Sequence, residues 1–202
     1  MRITESQLRR IIKEALLAEG AMTPQDAKRE RLHFKIKKRD KFAEIEVYSP
    51  HSEKWIGILL STAEDEPWRG RAACSGAWTI EGSQAKIDGL GPLMYDLMID
   101  VVHPHPLASD RAEVTPSAQR VWDYYHNRRP DIESMQLDDL RNTLTPAEDD
   151  NCEQSIAQIW SDDNFGDEDR WPDSSLSKAY RRRGGGTPTL DELQALGMIT
   201  FI

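Results

Sequence analysis

Cysteine is nearly absent: two residues in 202, Cys74 and Cys152, far apart in the chain. They make no C-x-x-C pair and no disulfide framework. Both read as free thiols in a cytosolic setting, small hydrophobes more than reactive groups. No apolar run reaches the roughly 18 residues that a membrane span needs. The basic N-terminus interleaves its apolar residues with charges, which does not fit the unbroken apolar stretch of a secretory signal. Nor is there a P-loop, because no Gly-Lys-Ser/Thr follows a glycine-rich segment, and Gly89-x-Gly91 lacks the third glycine of a dinucleotide fingerprint. His103 and His105 have no further metal ligands near them in sequence. Asp167-Glu168-Asp169 lacks the glycine and spacing of a calcium loop. No internal repeat is visible.

What is abundant is charge, 30% of the residues, with a net charge of -9. Residues 1–41 hold 12 Lys/Arg and 6 Asp/Glu, so the head is basic and the remainder strongly acidic. An acidic body argues against nucleic-acid binding, since a phosphate backbone rewards clustered Lys and Arg. The basic head suits an acidic partner.

The clearest local signal lies at residues 4–17. Thr4 and Gln7 make a capping box, and Ile3 and Leu8 a hydrophobic staple. Leu8, Ile11, Ile12, Ala15 and Leu16 form one apolar stripe, with Arg9, Arg10 and Lys13 opposite and Gly20 as the stop. Residues 20–31, polar and holding Pro24, read as a linker. A lone helix of this length is marginal in water, so residues 1–19 dock on their own domain, on a membrane surface or on another protein, and the local sequence points to another protein. The stretch MRITESQLRRIIKEALLAEG resembles the N-terminal packaging peptides of internal head proteins in large tailed bacteriophages. That resemblance implies a scaffold partner and cleavage after Glu19, at Leu16-Leu17-Ala18-Glu19, a pattern that Ile11-Ile12-Lys13-Glu14 also fits.

Residues 32–202 read as one α+β domain. His33 to Lys37 and Ala43 to Tyr48 alternate as half-buried strands. Trp55 to Ser61 is a more continuous apolar run that suits a central strand, and Ala73 to Ile80 is a further strand. Lys86-Ile87-Asp88-Gly89-Leu90-Gly91-Pro92 then leads into a helix to Val102, with Pro92 at its first position and Met94, Leu97, Met98 and Val101 on one face. Pro106 to Val114 is the next strand. Thr115-Pro116 opens a helix to about Arg128, with Ala118, Val121, Trp122 and Tyr125 inward. Beyond Pro130 the chain turns acidic and irregular. Arg181 to Gly186 reads as a mobile loop, and Thr189 and Glu192 as a capping box for a short helix that Gly197 ends. Trp68, Trp160 and Trp171 stand in polar stretches, where contact with a partner or loop packing accounts for them.

Glycines between a strand and a helix let backbone N–H groups approach a phosphate, and the helix N-terminus adds partial positive charge. The order strand, glycine turn, helix, strand, helix resembles the acyl-CoA N-acyltransferase (GNAT) family. GLGPLMYDLMID, ASDRAEVTPSAQRVWDYYHNRRPD and LSKAY resemble phage-encoded proteins of GNAT-like type. The resemblance implies a mixed, mainly antiparallel sheet flanked by helices. It implies acetyl-CoA held by Lys86, Gly89, Leu90 and Gly91, where Lys86 replaces the family's Arg or Gln and Asp88 is an uncomfortable neighbour for a pyrophosphate. It also implies a tyrosine acid on the later helix, Tyr125 first and Tyr124 second. Glu81, at the end of the strand before the turn, is the candidate base, although an exposed strand-end Glu also needs no function. The implied activity is acetyl transfer from an acyl-CoA to an amine in the cytoplasm of a host bacterium, without nucleic acid or membrane. The other reading is a catalytically inactive GNAT-like binding protein, packaged in a virion or acting on a host protein through the N-terminal helix.

Overall fold

In a computed structural model, residues 20–52, 54–63, 76–139, 144–146, 151–152 and 171–202 are described. The expected helix at 4–17 lies outside them, as do Trp68, Trp160, Cys74 and the 167–169 charge run. Alternation decides the first strands. In β1 (His33–Arg39) and β2 (Phe42–Tyr48), Phe34, Ile36, Ala43, Ile45 and Val47 are fully buried while their neighbours stay half-exposed. β3 (Gly57–Thr62) and β4 (Trp78–Ala85) continue this antiparallel meander.

The chain then crosses over. β4 is followed by α2 (Leu90–Val102) and by β5 (Leu107–Ala108), which pairs parallel to β4. β9 (Lys178–Arg182) inserts antiparallel between β5 and β6 (Ile132–Gln136), and β10 (Ile199–Phe201) lies parallel on the outer edge of β1. The eight-stranded order is therefore β10-β1-β2-β3-β4-β5-β9-β6. β7 (Asp138–Asp139) and β8 (Asn151–Cys152) pair separately. α1 (Pro24–Arg29), α3 (Pro116–Arg128) and α4 (Pro188–Ala195) complete a mixed α+β fold whose sheet is flanked by helices. Among the described residues no helix is long and apolar enough to cross a membrane.

α2 is the core. Ten of its residues are buried, from Leu90 to Val102, so it meets protein on both sides: the sheet on one, α4 on the other. Gly57 permits this approach, because a Cβ there would stand 2.7 Å from Met94 Sδ and 2.9 Å from Leu90 Cδ2.

Several segments differ from the sequence expectation. Residues 20–31 are docked, not a linker. Thr23 and Asp26 cap α1 reciprocally, Pro24 starts it, and Ala27 is fully buried. α2 begins at Leu90 with Gly89 as N-cap, two residues before the expected Pro92 start. The chain beyond Pro130 supplies β6, β9, α4 and β10. Arg181 and Arg182 belong to β9, not to a loop, and Arg182 is held there by the buried carboxylate of Asp100. Trp171 is fully buried and its indole N–H donates to Leu137 O at 2.9 Å, so it serves packing.

An ionic chain ties these late elements to α2. Asp100, buried, accepts from Arg182 Nε at 2.7 Å and from the amides of Thr189 and Leu190 at 2.6 and 3.0 Å. It thereby caps α4 from 89 residues away, and Thr187, the N-cap residue, makes no side-chain cap bond. Arg182 Nη1 donates to Asp131 at 2.7 Å, Arg129 forks onto Asp131 and Asp96, and Tyr125 Oη donates to Asp96 at 2.7 Å. The hydrogen bonds from Arg129 hold the Asp131 carboxyl down, to about 2. A depressed carboxylate pKa stabilises above the unfolded value of about 3.9 and loses that stabilisation as pH falls toward 2. Asp131→Asn is therefore expected to lower the urea midpoint at pH 6 and to converge on the wild type between about pH 4 and 2. A gap that stays constant across that range would show that Asp131 contributes by packing alone.

Candidate functional site

β4 and β5 pair through only Trp78–Leu107 and Thr79–Ala108 and then separate. β4 continues to Ala85 beside β3, so beyond residue 79 its other edge borders a groove. Lys86 N donates to Ile56 O at 2.8 Å. The antiparallel alternation from that pair turns the main-chain groups of Ser83 and Ala85 away from β3, into the groove. Leu60 pairs with Gly82 and Ser61 with Ile80, so Glu81 is an extra, bulged residue. A bulge bends its strand and re-aims the side chain that it carries.

Two cavities occupy the groove. The first, about 370 Å³, lies between the turn at 86–89 with the start of α2 and the start of α3; Ser83, Asp88, Gly91, Tyr95, Thr115 and Arg120 line it. The second, about 290 Å³, lies beyond it and takes in Glu81, Asp110, Glu113 and Trp122. Ser83, Tyr95, Thr115 and Ala118 line both, and so mark the junction. There the Tyr95 phenol is 3% exposed and stands 3.0 Å from Ser83 Oγ. Burial pushes its pKa up, so it stays protonated at neutral pH. Its ring meets Trp122 edge-on at 5.2 Å.

The glycine turn has two distinct glycines. Gly89 is left-handed (φ 77°), and a Cβ there would stand 2.2 Å from Gly20 O and 2.9 Å from Met22 N. Met22 N also donates to Gly89 O at 3.0 Å. The N-terminal segment thus lies on the turn, and Gly89 is fixed by backbone geometry and by this contact. Gly91 has neither constraint: its φ is ordinary, and a Cβ would meet nothing within 4 Å. It leaves the second position of α2 open toward the first cavity. No side chain caps this helix end, and its first turn holds no acidic residue.

Of the residues singled out from sequence, the groove brings together Glu81, Gly89 and Gly91. Leu90 is not among the lining residues, its side chain being fully buried in the core. Lys86 points elsewhere: Nζ donates to Trp55 O at 2.8 Å and lies 3.9 Å from the centre of the Trp55 ring. Tyr124 and Tyr125 line a separate cavity of about 70 Å³ with Asp96 and Arg129. Burial holds the Tyr125 phenol protonated, and its hydroxyl is committed to Asp96. Two hydroxyls at the junction of the cavities, Tyr95 and Ser83, were not picked from the sequence. Tyr95 stands out there only as the lone aromatic in an aliphatic helix.

Among the described residues no group of three or more His, Cys, Asp or Glu is placed to hold a metal ion. In comparisons with protein-family models, curated proteins and solved structures, nothing matches this chain.

The two glycines respond oppositely to a methyl group. Gly89→Ala is expected to destabilise by at least about 1 kcal/mol, from the left-handed backbone alone. Gly91→Ala is expected to be neutral or to stabilise by up to about 1 kcal/mol, as in a helix free of constraints. Thermal unfolding of both variants checks this; equal losses would mean that Gly91 also serves packing.

Proposed function

We propose that this protein is an acyl-CoA-dependent N-acyltransferase of GNAT-like type, taking acetyl-CoA into the groove between β4 and β5. The observation that carries the reading is the parallel β4–β5 pair that separates after two residue pairs, with a bulge on one wall and a glycine turn at its end. The mixed, mainly antiparallel sheet flanked by helices supports it, being the coarse architecture that the GNAT resemblance implies.

The parts have consistent roles. The amides of Ser83 and Ala85 offer an extended thioester arm the hydrogen bonds of a missing strand. The first turn of α2, opened by Gly91, faces the diphosphate with its N–H groups. The thioester carbon then lies at the junction of the cavities, and the amine arrives through the second. Glu81 takes a proton from the incoming ammonium. The free amine nitrogen attacks the carbonyl carbon, a C–N bond forms and the C–S bond breaks. Tyr95 Oη gives its proton to the departing sulfur, and the proton that the acylated nitrogen sheds returns to Tyr95 through Ser83 Oγ, 3.0 Å away.

A second reading, a GNAT-like scaffold that binds without turnover, is favoured by one specific contact. Gly20 to Met22 rest on the glycine turn that the diphosphate would face. In that reading the protein is a binding partner in a virion or of a host protein.

Two measurements separate these possibilities. Acetyl-CoA is expected to bind in calorimetry and to raise the melting temperature, and Gly91→Glu to abolish both while leaving the fold intact, because its side chain and charge fill the first cavity. No binding at millimolar acetyl-CoA would end the acyl-CoA reading. Tyr95→Phe is expected to keep acetyl-CoA affinity and to lower amine acetylation by about a hundredfold. Unchanged turnover would remove Tyr95 from the chemistry, and binding without any turnover in the wild type would select the scaffold reading.

A further inference from the structure

Resting on the acyl-CoA reading, we infer that Arg120 is the residue that makes the groove selective for a phosphate-bearing thioester over a phosphate-free one. A diphosphate needs a cation as well as backbone N–H groups, and the first cavity already holds one opposing charge, Asp88. Lys86, the cation that the sequence offers, is committed to Trp55 on the far side of the turn. Among the described residues that line the first cavity, Arg120 is the single cationic side chain.

Its setting suits the role. Arg120 is exposed on the first turns of α3, on the wall facing Gly91 and the start of α2. Nη2 donates to Ser117 Oγ at 3.1 Å, one turn back on the same helix. No carboxylate among the described residues forms an ion pair with it. Three arginines elsewhere are consumed by structure: Arg129 and Arg182 by Asp96, Asp100 and Asp131, and Arg181 by Glu133. A planar guanidinium held only by a neutral hydroxyl keeps most of its five donors for a ligand, and its fork matches phosphate oxygens two at a time. Thr115 and Ser117, on the same wall, add hydroxyl donors. The groove thus has an apolar, main-chain-lined arm at Ser83, Ala85 and Met94 and a charged end at Arg120.

The test compares two ligands on the full chain by calorimetry, at low and moderate salt: acetyl-CoA, and S-acetylpantetheine, which shares the thioester arm and lacks phosphate. Arg120→Gln is expected to weaken acetyl-CoA by about tenfold or more and to flatten its salt dependence, with S-acetylpantetheine unchanged. Arg120→Lys is expected to recover part of the loss, and Lys86→Gln to leave both ligands unaffected. Equal acetyl-CoA binding by wild type and Arg120→Gln, or an equal loss for both ligands, would overturn the assignment while the acyl-CoA reading stands. Failure of the wild type to bind acetyl-CoA would instead remove the reading on which it rests. Because Arg120 is exposed, melting temperatures of these variants should match the wild type, which keeps any affinity change attributable to the site.

Discussion

Asp100 and Arg182 hold the molecule together at the point where its early and late halves meet. Both side chains are almost completely buried, 0% and 4% exposed, and lie 2.7 Å apart. Two charges out of water are costly, and their attraction offsets the cost only when the remaining donors and acceptors are also satisfied. Here they are. Asp100 takes two amides of α4 with its second oxygen, and Arg182 spends its remaining nitrogens on Asp131 and Thr189. Removing one partner from such an arrangement costs about 3–5 kcal/mol, because the other is left charged and buried. The pair therefore matters less as net stabilisation than as a constraint on which arrangement of elements is allowed.

That constraint reaches the groove through α2. Asp96 and Asp100 are one turn apart on the helix, and both belong to the ionic chain that ends at Tyr125 and α4. Tyr95 follows the same backbone but looks the other way, into the cavities. Gly91 and the open first turn lie at one end of the helix and the Asp100 anchor near the other. A helix with ten buried residues that is pinned by ion pairs cannot rotate independently of the sheet. The position of the Tyr95 hydroxyl is thus set by contacts on the opposite face of the helix.

The sequence shows clearly whatever depends on neighbours in the chain. β1 and β2 appear through strict alternation, α3 through Thr115-Pro116, and the glycine turn through composition. Contacts with distant partners are not legible in the sequence. Arg181-Arg182-Arg183 looks like a solvated loop because nothing nearby says that Asp100 waits for Arg182. Tyr125 looks like the acid because its helix and position fit, yet its hydroxyl turns to Asp96, 29 residues earlier. Lys86 looks like the phosphate cation, and Trp55 captures it from 31 residues away. α1 is a different case, since Thr23-Pro24-Gln25-Asp26 is a complete start signal hidden by the charges around it.

The groove itself is a consequence of brevity. β5 supplies two residues beside a strand of eight, so most of one edge of β4 has no neighbour in the sheet. Main-chain groups on such an edge must be satisfied by water or by something extended laid alongside. Exchanging water for a ligand amide yields only about 0.5–1.5 kcal/mol per hydrogen bond, so the edge aligns a ligand without holding it tightly. Tight binding has to come from the ends of the groove. One end, around the second cavity, sets Trp122, Ile80 and Val114 beside the carboxylates of Glu81, Asp110 and Glu113. The other faces the open turn of α2 and Arg120. The ligand proposed above, acyl-CoA, has a construction suited to these demands: a thin, amide-bearing arm, a reactive group at one tip and dense negative charge at the other.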